Sequence, residues 1–121
     1  MRSIDVHAHV TPQCYWRATQ SGGEWHGMRR EQDARGREVM ISGNSRGQLP
    51  PRSSWTPEQR LDDMDSLGVD VQVLSPYAGF YNYDLPVATA KATSVDCNDE
   101  IYQMSTTWPD RFASLGTLPM Q

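Results

Sequence analysis

Residues 56–75 bring a helix signature, a glycine and a β-branched run into immediate succession, and no other stretch restricts the fold as tightly. Thr56 suits an N-cap and Pro57 the first helical position, and Gln59 stands three residues after the cap, the spacing of a capping box. Leu61, Met64 and Leu67 then form one apolar stripe, and Gly68 supplies a left-handed stop. Val69-Asp70-Val71-Gln72-Val73-Leu74-Ser75 follows at once as a strand. A helix handing over to a strand through one glycine is the αβ joint of a parallel sheet.

The same order repeats downstream. Val87, Ala90, Ser94, Cys97, Ile101, Met104 and Trp108 fall at alternating spacings of three and four, which predicts a helix over about 86–107 with one buried face. Pro109 ends it, and 111–119 reads as a further strand. Upstream, 3–9 make a short hydrophobic strand. Strand, insertion, helix, strand, helix, strand predicts a βαβαβ unit with right-handed crossovers. In the insertion, 12–54, Gly, Arg, Gln and Ser dominate and periodicity is lost. Gly22-Gly23, Gly36 and Gly43-Asn44 mark turns, and 37–41 points to one minor hairpin. We read this segment as an irregular, lid-like insertion. Tyr15, Trp16, Trp25 and Trp55 are aromatics of a kind that disordered segments lack.

Bulk properties narrow the function classes. At 121 residues there is room for one modest domain. The 37% hydrophobic and 21% charged content is globular, and no apolar run reaches membrane-spanning length. A net charge of −4 gives no electrostatic basis for binding nucleic acid or an anionic membrane. The N-terminus lacks a basic region followed by an apolar core, so no secretory leader is expected. Cys14 and Cys97 show no Cys-x-x-Cys spacing and read as free thiols, which fits a cytoplasmic location.

The chemistry sits at the end of the first strand. His7 and His9 are separated by one residue, and alternate side chains of a strand share a face. Neutral imidazoles a pleat apart can grip one Zn²⁺ or similar ion, and the carboxyl ends of barrel strands are where active sites lie. The bland alternative is two histidines facing solvent. Asp5 reads as a supporting carboxylate on the opposite face of the strand, or simply as a charge near its start. His26 reads as a solvated loop histidine. Tyr77, Phe80 and Tyr81 follow the second strand, where they could wall an aromatic substrate or pack under the insertion.

Five segments together carry a family resemblance. They are Ile4-Asp5-Val6-His7-Ala8-His9, Trp55-Thr56-Pro57-Glu58-Gln59-Arg60, Met64-Asp65-Ser66-Leu67-Gly68-Val69, Val71-Gln72-Val73-Leu74-Ser75, and the run from Pro109 through Arg111-Phe112-Ala113-Ser114-Leu115-Gly116-Thr117-Leu118-Pro119 to Gln121. In this order the chain resembles the amino-terminal third of the amidohydrolase superfamily, in the branch containing aminocarboxymuconate semialdehyde decarboxylase. The stretch at 23–30 resembles bacterial amidohydrolase-family proteins. The resemblance implies a distorted (β/α)₈ barrel of TIM type with one divalent ion, usually zinc. Of that barrel this chain holds the first three parallel strands and two helices.

The resemblance implies that His7 and His9 are the first two metal ligands. A further histidine and an aspartate, with the proton-transferring histidine, are expected beyond Gln121, so no catalytic proton-transfer residue is assigned within 1–121. The branch uses an arginine upstream of Trp-x-Pro-Glu to hold a substrate carboxylate. Arg52 is the favoured candidate here and Arg46 the other, but the spacing before Trp55 departs from the branch and surface charge is the alternative reading for both. Tyr77, from its place after the second strand, is the other candidate substrate contact. The implied activity is decarboxylation of an aromatic or muconate-type acid. A metal-dependent hydrolase of an amide, ester or lactone is the alternative, and a non-catalytic α/β module the reading from another class. A whole barrel takes about 250 residues, so 1–121 is expected to be inactive alone and to need the rest of the barrel or a partner copy.

Overall fold

The computed structural model describes residues 1–81 and 83–120. Asn82, within the aromatic loop, and Gln121, which ends the last matching segment, lie outside the described residues. Three strands, β1 (Ile4–Val10), β5 (Val71–Pro76) and β6 (Phe112–Ser114), form a parallel sheet in the order β1-β5-β6. Helix α2 (Pro57–Leu67) leads into β5, and α3 (Val87–Thr107) connects β5 to β6. This is the expected start of a (β/α) barrel.

Local chemistry explains the joints. The Gln59 amide donates to Thr56 Oγ1 at 3.3 Å, while Gln59 Oε1 accepts from the Thr56 amide at 2.9 Å, a complete capping box. Gly68 adopts φ 70°, ψ 30°, and the Val69 amide donates back to the Met64 carbonyl at 2.8 Å. The buried faces of both helices meet one face of the sheet. Met64, Ile101 and Met104 pack on Ala8, Val10, Leu74 and Phe112, with Leu61, Val69 and Trp108 at the rim. Each of the larger buried side chains, Met64, Leu74, Ile101, Met104 and Phe112 among them, contributes about 1.5–3 kcal/mol on full burial.

The pairing of β1 with β5 slips once. Asp5 opposes Gln72 but Ala8 opposes Leu74, so the extra residue makes a bulge around Val6 and His7. Register partners share a face, and the slip therefore places Asp5, Gln72, Ala8 and Leu74 toward the helices. Ile4, Val71, Val73, Ala113, His9 and Ser75 fall on the other face, which no helix among the described residues covers.

The insertion is more regular than its composition suggests, which corrects the irregular reading. Helix α1 (Gln13–Ala18) and a 3₁₀ turn (Gln20–Gly22) are followed by an antiparallel meander of β2 (Met28–Gln32), β3 (Glu38–Ser42) and β4 (Ser45–Gln48). The Asp33 side chain organises the β2–β3 turn by accepting from the Arg35 and Arg37 amides at 2.8 and 2.9 Å. Gly43, at φ 57°, opens the two-residue turn between β3 and β4. Tyr15, Trp25, Met28, Met40, Leu49, Phe80 and Cys97 form a second core beneath it. Strand β6 is also shorter than the 111–119 reading. After Leu115 donates to the Leu74 carbonyl at 2.8 Å, the ladder stops, and Asn98 takes over by bonding both the amide and the carbonyl of Thr117.

Candidate metal centre

The His7 and His9 rings stand at right angles with their Nε2 atoms 3.0 Å apart. Two imidazole nitrogens at that range repel unless a proton or a cation sits between them. With a Zn–N bond of about 2.0–2.1 Å, the 3.0 Å separation corresponds to an angle of about 90–100° at a shared ion. The donor pair therefore fits one side of a zinc-type site. Among the described residues, no group of three His, Cys, Asp or Glu side chains could hold a metal by itself.

Neighbouring groups fix this pair. Ser75, the register partner of His9, lies with Oγ 3.1 Å from His9 Nδ1. The tautomer that donates Nδ1–H to Ser75 leaves Nε2 with its bare lone pair, as a ligand needs. The His7 amide donates to Asp5 Oδ1 at 3.0 Å, and Gln72 Nε2 donates to Asp5 Oδ2 at 3.2 Å. Arg60 Nη2 donates to the His9 carbonyl at 2.8 Å. Sequence reasoning assigned no role to Ser75, Gln72 or Arg60. For Ser75 the available signal was its place at the end of the strand that neighbours His7 and His9.

A cavity of about 530 Å³ opens beside the pair, and Asp5, Arg52, Trp55, Arg60 and Asp63 line it with the histidines. Arg52 thus shares a cavity with His7 and His9. Its guanidinium donates to Asp63 Oδ2 at 3.0 Å and lies over the Trp55 ring at 5.0 Å. With the Arg52 side chain 62% exposed, that ion pair is solvent-screened and weak. Tyr77 lies outside this cavity. Its hydroxyl donates to the Gln48 carbonyl at 3.2 Å, its ring meets Phe80, and it lines a separate cavity with Met40 and Arg46. The 3₁₀ turn at Ala78–Phe80 carries the chain under the insertion at this point. Arg46 itself pairs with Glu31 on the exposed meander.

Electrostatics tie the insertion to α3. Pro12 offers no side-chain cap to α1, and both Glu100 oxygens instead accept from the Gln13 amide at 2.9 and 2.7 Å. Burial pushes the Glu100 carboxyl up, opposed by that bond and by Arg17 and Arg60. Asp96, one turn earlier, accepts from Trp25 Nε1 at 2.9 Å and contacts His26 Nε2 at 2.8 Å, so His26 is anchored rather than merely solvated. Burial likewise raises both thiols, and Cys14 and Cys97 are free. No helix among the described residues is long and apolar enough to cross a membrane.

No protein-family model matches the chain. Curated relatives do. The 2-amino-3-carboxymuconate-6-semialdehyde decarboxylase of Caenorhabditis elegans is 29% identical over 119 residues, covering 98% of this chain and 30% of the relative. The protein of the same name from Dictyostelium discoideum is 28% identical over 120 residues, covering 98% and 33%. Among solved structures, Metarhizium anisopliae IDCase superposes with a TM-score of 0.69 at 18% identity, over 98% of this chain and 35% of that one. The 5-carboxyvanillate decarboxylase LigW from Sphingomonas paucimobilis superposes at 0.62 with 27% identity, over 95% and 34%. The chain spans about a third of the length of the proteins it matches. Over nearly its whole length, it is similar to the amino-terminal part of the TIM-barrel decarboxylases of the amidohydrolase superfamily.

Proposed function

We propose that His7 and His9 are the first two ligands of a catalytic divalent cation of the Zn²⁺ class, in a decarboxylase acting on an aromatic or muconate-type carboxylic acid. The observation that carries this reading is the 3.0 Å approach of the two Nε2 atoms at the carboxyl end of β1. A bound ion supplies Lewis acidity there. Ser75 holds the His9 ring, and Asp5 holds the His7 backbone. Arg52, itself exposed, receives the substrate carboxylate by exchanging its Asp63 partner for it, a step suited to a planar guanidinium fork. Tyr77 takes no part in this cavity.

In this reading residues 1–121 act as one barrel segment in the cytoplasm, completed by further strands or by partner copies that supply the remaining ligands and the proton-transfer group. A hydrolase would use the same two histidines, but the names of both sequence relatives favour decarboxylation. Metal analysis of the completed barrel after dialysis against Zn²⁺ should find close to one ion per subunit, and none in His7→Ala/His9→Ala. In a completed barrel, CO₂ release from a panel of aromatic and muconate-type acids should depend on both histidines. Turnover that survives the double substitution would overturn the assignment.

A further inference from the structure

Arg60 is the most deeply enclosed cation whose placement the metal reading leaves unexplained. Only 6% exposed, it forms no ion pair with any carboxylate among the described residues. Asp5, Asp63 and Glu100 act on it only at longer range, and its Nε has no hydrogen-bond partner. A buried guanidinium without a direct counter-ion is costly, and a methionine at this position would pack against Met64 without that cost.

The charge is directed instead at main-chain oxygens. Nη2 donates to the His9 carbonyl at 2.8 Å and to the Arg52 carbonyl at 3.4 Å. The next carbonyl along β1, that of Val10, accepts from the Tyr77 amide at 3.0 Å on the β5 side. Successive carbonyls of a strand point to opposite sides, so the His9 carbonyl faces the sheet edge, where no strand among the described residues meets it. Arg60 meets it there with a charge-assisted bond. His9 is thus held at two points, its ring by Ser75 and its peptide by Arg60.

We infer that Arg60 is a positioning residue for the metal ligand His9. It fixes the peptide that carries the imidazole and, through the Arg52 carbonyl, links the exit of the insertion to the divalent-metal site. The inference rests on the reading of His7 and His9 as ligands, and the experiment separates the two claims.

The completed barrel that carries this chain and its Arg60→Met, Arg60→Lys and His9→Ala variants are titrated with Co²⁺ and followed by ligand-field absorption. Far-UV circular dichroism and thermal unfolding are recorded on the same samples. Wild type should bind Co²⁺ and His9→Ala should not. Arg60→Met should keep the wild-type dichroism but lose about 10-fold in affinity, with shifted absorption bands. Arg60→Lys, which keeps a donor, should recover part of that loss. If wild type binds no Co²⁺, the metal reading falls and this inference with it. If wild type binds and both Arg60 variants match its affinity and spectrum, only the role of Arg60 is overturned. If Arg60→Met fails to fold, Arg60→Lys decides alone. Wild-type affinity and bands in the lysine variant would reject the role, and weakened affinity with displaced bands on an intact fold would uphold it.

Discussion

The insertion and the parallel sheet are built by opposite means. The meander β2–β4 is largely polar in sequence, yet it covers a second core around Tyr15, Trp25 and Phe80, whose rings meet at 5.2–5.5 Å. The sheet is apolar in sequence, yet the described residues cover only its helix-facing side. On its other side Ile4 is 59% exposed, and Val6, in the bulge, is 75% exposed. Apolar surface of this kind on a sheet face calls for partner atoms, and the candidate metal pair stands at its upper end. The region that looks unstructured by composition is closed over a core shared with Phe80 and Cys97, whereas the region with the clearest local signals keeps one exposed face.

The hardest test of this contrast is to hollow each core in turn. Phe80→Ala and Phe112→Ala should each cost about 3–5 kcal/mol in urea unfolding. If Asp96 and Glu100 bind the two regions into one cooperative unit, Trp25 fluorescence and far-UV dichroism will lose their structure together in both variants. Separate midpoints would show that the insertion is an independent unit.

A gentler probe cuts one tie between the regions. Asp96→Ala leaves Trp25 Nε1 without its acceptor inside the insertion core and should cost about 1–3 kcal/mol. The smallest effect is pH-dependent. Because burial raises the folded Glu100 pKa above the ordinary 4.5, its ionised form weakens folding at neutral pH. That penalty fades as pH falls through the raised value and is gone below 4.5. The melting temperature of wild type minus that of Glu100→Gln should therefore rise between pH 7 and 4.5. A flat difference would mean that Glu100 carries no such penalty.

What was legible in the sequence was local. Thr56, Pro57, Gln59 and Gly68 act within one helix, so α2 and its joint to β5 could be read directly. The meander could not. Met28-Arg29-Arg30-Glu31-Gln32 and Ser45-Arg46-Gly47-Gln48 have no apolar alternation, and they become strands because β3 supplies the buried Val39, Met40 and Ile41. The ligand candidates were visible from the spacing of His7 and His9. Ser75 and Arg60 were not, because one acts through register across two strands and the other through a helix meeting a strand edge. For Tyr77 a pocket wall and packing under the insertion both stayed open, because nothing local shows where the chain turns after β5.

The slip in β1 also sets how tolerant this strand is to change in length. Its register error is absorbed at Val6 and His7, so a residue gained or lost nearer the amino terminus would flip Ile4 and Asp5 between faces. His9 would still sit opposite Ser75. Drift at the base of the strand is thereby kept away from the coordinating tip.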